Sequence, residues 1–172
     1  MTDLVRLFVQ ITLLRRGPQD LPASPVLLFG AAIAYFAVSL AVGKAFPPVQ
    51  GNWVLPLTVD VLFTFAWYAL LLRAVGKPER FLQTTSAVFG YQTVIAPLQI
   101  ASAHMLRRFG EDASWQLPLS LFVLALVVWL ISVATHVVKA ALEWSTPACV
   151  GLVILQLFSG ELLIYALFPN VR

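Results

Sequence analysis

Apolar residues in this chain come in long runs, and most of the charges lie in the gaps between them. A run of about 20 apolar residues, wound as a helix, can cross a roughly 30 Å hydrocarbon core. The pattern predicts spans at about 26–42, 54–72, 83–105, 117–138 and 147–168. A shorter pattern precedes them. Within residues 1–16, Asp3, Arg6 and Gln10 fall on one narrow stripe, whereas Leu4, Leu7, Phe8, Ile11 and Leu14 lie elsewhere. Arg15-Arg16 closes this run before it is long enough to span, so it reads as an amphipathic helix lying in the interface, arginines toward phosphates. The competing reading, a secretion signal, fits less well: the charge follows the apolar run and no small-residue cleavage site appears.

The expected architecture is therefore all-α: a polytopic integral membrane protein with an interfacial helix in 1–16 and a five-helix transmembrane domain in 17–172. Gly17-Pro18 should end the first helix, and Pro22 and Pro25 hold the connection extended. In the first span Gly30, Ala34, Ala37 and Ala41 make a face of small residues that another helix can approach closely, within this chain or from a second copy or another membrane protein. Lys44, Pro47-Pro48 and Gly51-Asn52 mark a loop. Trp53, at the start of the second span, sits where an interfacial aromatic would, and Trp67 and Tyr68 lie near the other end of the span. Pro56 falls in a first turn, where its missing N–H costs little.

The segment Phe81–Leu106 is the least lipid-like of the five. It carries Gln83, Gln92, Gln99, a Gly90-Tyr91 pair and a mid-segment Pro97. Tyr91, Gln92 and Gln99 need polar partners in a low-dielectric interior, which predicts a central helix. Pro97 removes one backbone hydrogen bond and predicts a kink, with Gly90 a second soft point, so these two are the hinge candidates. The fourth span is almost pure Leu, Val, Ile and Ala and starts with Pro118 in its first turn. Ser145 or Thr146 should cap the fifth, which starts at Pro147.

Five spans with the N-terminus inside put Arg6, Arg15, Arg16, Arg73, Lys77, Arg80 and Lys139 in the cytoplasm and leave Lys44, Arg107, Arg108 and Arg172 outside. Were the third segment to dip in and return to the same side, nine basic residues would lie inside and two outside, which charge bias alone prefers. Five spans is nevertheless the reading taken. Residues 81–103 carry no charge, and a re-entrant loop needs neighbours to hide its backbone.

Composition agrees with the pattern: 60% of the residues are hydrophobic, 11% are charged and the mean hydropathy is +0.87, values that place the chain in the membrane class. The net charge of +3 does not form a nucleic-acid patch. The basic residues sit at segment ends, where Arg6, Arg15, Arg16, Arg73, Lys77 and Arg80 are expected to contact lipid headgroups. Cys149 is the single cysteine, so no intrachain disulfide forms, and no Cys/His spacing suits a metal. No cofactor is expected.

Asp60 and Glu161 carry the sharpest chemical hint. A charge near mid-bilayer costs roughly 2.5 to 3.5 kcal/mol on insertion scales, so both acids should be paired, neutral or wet. With five spans they fall at similar depth, slightly to the outer side of the midplane, and could meet. A close pair would share a proton and serve a proton or cation pathway. Alternatively, Lys44, Arg107 or Arg108 snorkels inward and neutralises one of them as a folding contact. Catalysis finds no foothold: there is no HExxH pair, nucleophile elbow, P-loop or dinucleotide fingerprint, and His104 and His136 lie toward opposite faces.

The amphipathic start ending in Leu-Leu-Arg-Arg with Pro18 nearby, the five predicted spans, and the basic GKPERF loop leading into Gly90-Tyr91 and Pro97 together resemble the Yip family of small membrane proteins. In that family the proline typically follows the tyrosine by four positions, whereas Pro97 follows Tyr91 by six. The resemblance implies a five-helix, non-catalytic protein of the kind linked in eukaryotes to vesicle trafficking and small-GTPase partners. The sequence expectation is accordingly a non-enzymatic scaffold, assembly or membrane-organising factor. The alternative is a small proton- or cation-coupled transporter or channel using Asp60 and Glu161. Low charge and short loops suit a bacterial cytoplasmic membrane, an early secretory membrane being the eukaryotic counterpart.

Overall fold

The computed structural model describes residues 2–45 and 53–169. The predicted Pro47-Pro48 and Gly51-Asn52 loop, the Lys44 side chain and Arg172 lie outside the described residues. Every regular element among the described residues is helical: α1 Thr2–Thr12, α2 Pro25–Ala45, α3 Val54–Ala74, α4 Phe81–Phe109, α5 Ala113–Leu142 and α6 Thr146–Leu167, with single 3-10 turns at Pro18–Asp20 and Pro78–Arg80. Four of them, α2, α3, α5 and α6, are long and apolar enough to cross a membrane. The chain thus has the architecture of a membrane-embedded helical protein. Because most residues of these four helices face outward, their apolar surfaces suit a lipid surround.

The predicted boundaries shift where capping chemistry was misjudged. The first helix ends at Thr12, short of Gly17-Pro18. Leu14 takes a left-handed φ of 60°, the Leu14 N–H donates to the Ile11 carbonyl and the Arg15 N–H reaches back to that of Gln10. This closure usually recruits glycine, and Leu14 gave no warning of it. At the end of α3, Gly76 does the expected thing, with φ 73° and the Lys77 N–H on the Leu72 carbonyl. α5 starts at Ala113, before the predicted Leu117, because the Asp112 carboxylate caps it through the Ser114 N–H at 2.9 Å and hydroxyl at 2.7 Å. Those two bonds, the hydroxyl's first, also pull the Asp112 pKa down. Pro118 therefore sits inside the helix and not in its first turn.

α4 is one uninterrupted helix through Pro97, so the chain does not turn back on itself within this segment. Its 29 residues, at about 1.5 Å each, give a length of roughly 44 Å. Thr84 to Tyr91 are eight consecutive buried residues, because α1, α2, α3 and α5 all pack on this stretch. Central position explains the composition. A helix wrapped by protein has no need of a lipid-like surface and can carry threonine, serine and glycine, which let neighbours approach.

α2 runs parallel to α4: Leu28, Ala31 and Ala32 pack beside Phe89, and the Tyr35 ring lies 5.3 Å from that of Phe89. α3 runs antiparallel to α6, with the Tyr68 hydroxyl donating to Gln156 Oε1 at 2.9 Å and Gly160 facing Phe63. Tyr68 is thus a core residue, only 2% exposed. α1 lays Leu7, Phe8 and Ile11 into the core. The Phe8 ring sits so close over Gly90 that any side chain there would collide with it.

Candidate functional site

Two polar regions stand apart in the bundle. The first lies at the end where α4 begins and α5 finishes. Lys77 Nζ donates to the Leu142 carbonyl at 3.0 Å and to Glu143 Oε2 at 2.7 Å. The Arg80 guanidinium spans the Ala140 and Ala141 carbonyls at 3.1 and 2.9 Å and Glu143 Oε1 at 2.6 Å. The last carbonyls of a helix lack partners and carry the negative end of its dipole, so two cations placed there stabilise both the helix end and the turn. Glu143 has a left-handed φ of 62°. The Lys77 hydrogen bond first, then that of Arg80 together with both charges, holds its carboxyl well below the usual range, at about 2.

The same end receives the chain's first segment. Gln83 Nε2 donates to the Leu21 carbonyl at 2.7 Å, the Trp129 indole N–H to that of Thr12 at 3.0 Å, and His136 Nε2 lies 3.0 Å from that of Arg16. Lys139 Nζ donates to the Thr146 hydroxyl at 2.9 Å. Of the residues expected at lipid headgroups, Lys77 and Arg80 are instead committed to protein. Arg16 pairs with Asp20 at 3.4 Å, and Arg6, Arg15 and Arg73 are exposed.

The second region is a partly open cavity of about 580 Å³ between α2, α3, α4, α5 and α6. Asp60 from α3 and Glu161 from α6 both line it, as do Tyr91, Gln92 and Gln99 from α4. The structure therefore brings all five intramembrane polar candidates to one place. They are gathered because α3 and α6 run antiparallel and α4 passes between them and α2. Tyr35 Oη donates to Asp60 Oδ2 at 2.7 Å, and the Phe89 ring beneath Tyr35 fixes its direction. Gln92 Oε1 and the Trp53 indole N–H are shielded from water and lack hydrogen-bond partners among the described residues. Trp53 folds over Gly43 toward the cavity instead of standing at the lipid interface as an anchor.

Sequence reasoning missed Tyr35, Trp53 and Gln156 as cavity residues. Tyr35 and Gln156 carried a signal, because a hydroxyl or amide in the middle of an apolar span demands a partner from another helix; Trp53, at the start of α3, did not. The two hinge candidates separate in the structure. Gly90 is a close-contact position under Phe8, whereas Pro97 is exposed on α4, which continues through it. The small-residue face also resolves. Gly30, Ala37 and Ala41 are exposed and Ala34 is half-buried. Close packing of α2 on α4 goes instead through Leu28, Ala31 and Ala32.

Among the described residues no group of three or more His, Cys, Asp or Glu could hold a metal ion. Cys149 is buried in the core. What the cavity can do chemically is accept positive charge: two carboxylates, two phenols and three amide side chains line one space between apolar helices. The chain matches no family model, no curated protein and no solved structure.

Proposed function

We propose that this is a non-enzymatic membrane protein that takes up a proton or a small cationic solute at Asp60 and Glu161 within the bilayer, as a small transporter or channel. One observation carries the reading: acids from two different helices line a single cavity that also holds the polar side chains of α4. An acid within a membrane persists at a cost of several kcal/mol, and Asp60 is held at the cavity by the Tyr35 hydroxyl. A fifth crossing by α4 belongs to the proposal. It is supported by the length of α4 and by the position of its two ends. Arg80, just before it, bonds the end of α5, and Phe109 stacks on Trp115 at the start of α5, ring centroids 5.1 Å apart. A helix that runs alongside α5 from end to end crosses wherever α5 crosses. The excess of basic residues at the clasped end then puts that end, with α1, on the cytoplasmic side of a bacterial inner membrane.

The test is proton or cation flux into liposomes holding the purified protein, with Asp60→Asn and Glu161→Gln as variants and elution from a sizing column as the folding control. Flux should fall by about tenfold or more in each variant, as expected when a coupling carboxylate is neutralised. Well-folded variants with unchanged flux would remove the transport reading.

The scaffold reading, to which the Yip resemblance leads, is favoured by a separate observation: Gly30, Ala37 and Ala41 face away from the rest of the chain, open to a helix of another membrane protein or a second copy. Gly30→Leu with Ala37→Leu should then reduce crosslinking between copies, or to a neighbour, in native membranes.

A further inference from the structure

We infer that the solute taken by the cavity is a protonated amine with an apolar body. This rests on the binding reading above and narrows its ligand. Four features of the cavity select that chemistry. The two carboxylates favour a cation over an anion, since carboxylate oxygens accept hydrogen bonds and attract positive charge. At about 580 Å³ the space is far larger than a dehydrated inorganic ion and falls within the range of small organic ligands.

The walls supply the other two features. Leu130 of α5 and Val153 and Leu157 of α6 give the cavity an apolar side, which would hold a hydrocarbon or aromatic body. On the polar side, Gln92 Oε1 is an acceptor closed off from water and unpartnered among the described residues. An ammonium group supplies the N–H that this acceptor lacks; a metal-like or quaternary cation does not. The Tyr91 and Trp53 rings border the same space and can present π-faces to the charge. The bound ammonium thus lies among Asp60, Glu161 and Gln92, with its body against α5 and α6.

Three probes with one body and different heads test this: phenylbutylamine, phenylbutanol and phenylbutyrate, titrated calorimetrically into the full chain in detergent. The amine should bind saturably at one site, the alcohol at least about tenfold more weakly, and the carboxylate not at all. Asp60→Asn and Glu161→Gln should each weaken the amine by about tenfold or more, and Gln92→Leu should weaken it by a smaller factor. A measurement on the unaltered protein guards against misfolded variants. Carbodiimide labelling of Asp60, located by mass spectrometry, should be slowed by the amine and not by the alcohol. Equal affinity for alcohol and amine, or labelling indifferent to the amine, would overturn the inference. Ion flux without amine binding would overturn this ligand class and leave the transport reading standing. Amine binding without flux would support the ligand class and remove transport.

Discussion

At the end of the bundle where α4 begins, Lys77, Arg80 and Glu143 are matched to one another and to backbone; toward the end where it finishes, Asp60 and Glu161 line a cavity. The first end matches two cations to Glu143 and to three terminal carbonyls of α5. It also closes α4 on every side and seats Phe8 on Gly90 without space to spare. The second end sets two carboxylates, two phenols and several amides around a cavity that the side chains leave unfilled. Buried polar groups are tolerated when paired and are costly otherwise. The two ends differ in where their charged groups go: a clasp between α4 and the end of α5 at one, a cavity lined by two carboxylates at the other.

The sharpest way to break this comparison is to make the same change at a glycine in each half. Gly90→Ala should destabilise the protein by roughly 1–3 kcal/mol, as overpacking of a filled core does, because the added methyl meets the Phe8 ring and Phe8 is held by its own neighbours. Thermal unfolding in detergent should show the loss, together with faster proteolysis at Arg6 and Arg15 as α1 loosens. The corresponding Gly43→Ala also brings a methyl against a ring, that of Trp53, but Trp53 has cavity space into which it can move. If Gly43→Ala melts the protein as early as Gly90→Ala, the second half is as tightly packed as the first and the comparison fails.

Next in size is Tyr68→Phe. It leaves Gln156 Oε1 without the hydroxyl that donates to it at 2.9 Å, a loss of about 1–3 kcal/mol for a buried acceptor. Adding Gln156→Leu should recover part of that loss, since an apolar pair needs no hydrogen bond. No recovery would mean that Gln156 has a further role at the cavity. The clasp around Glu143 should show a smaller, conditional effect. Its carboxyl is held below its ordinary 4.5, at about 2. The charged form is therefore favoured in the folded protein, and the stabilisation is complete above about pH 4.5 and lost as pH falls toward 2. Glu143 is exposed, so salt should screen much of the effect. Melting temperature against pH should show an acid-side decline that Glu143→Gln flattens.

The smallest expected change is that of Gly43→Ala itself. The helix propensity gained, up to about 1 kcal/mol, offsets the displacement of the indole. Stability should scarcely move, while amine affinity should change as Trp53 is pushed farther into the cavity.

The hydrophobic pattern made the helices legible. The predicted spans at 26–42, 54–72 and 147–168 lie within one to three residues of α2, α3 and α6, because long apolar runs leave the backbone no low-energy choice but helix. Boundaries failed where a short-range polar contact decided them, as with Asp112 capping α5 and Leu14 closing α1. Trp53 misled for a related reason. It occupies a sequence position typical of an interfacial anchor, but anchoring and burial look alike until the neighbouring helix is known. Lys77 and Arg80 misled likewise: a basic loop suits headgroups, and only the return of α5 supplied carbonyls for the cations to cap. That Asp60 and Glu161 require explanation could be read directly from the cost of placing charge in hydrocarbon. Tyr35 and Gln156 could have been flagged by the same argument applied to uncharged groups.

By itself the sequence determined that the chain is helical and membrane-like, where its helices run, and that α4 is the odd one among them, because composition fixes how each segment partitions between lipid, water and protein. Which surfaces meet was decided only in three dimensions. That Phe8 sits on Gly90, that Arg80 caps α5, and that two acids a hundred residues apart share a cavity depend on how the helices are turned about their own axes. That rotation is set by the packing of many side chains together, and no single run of residues encodes it.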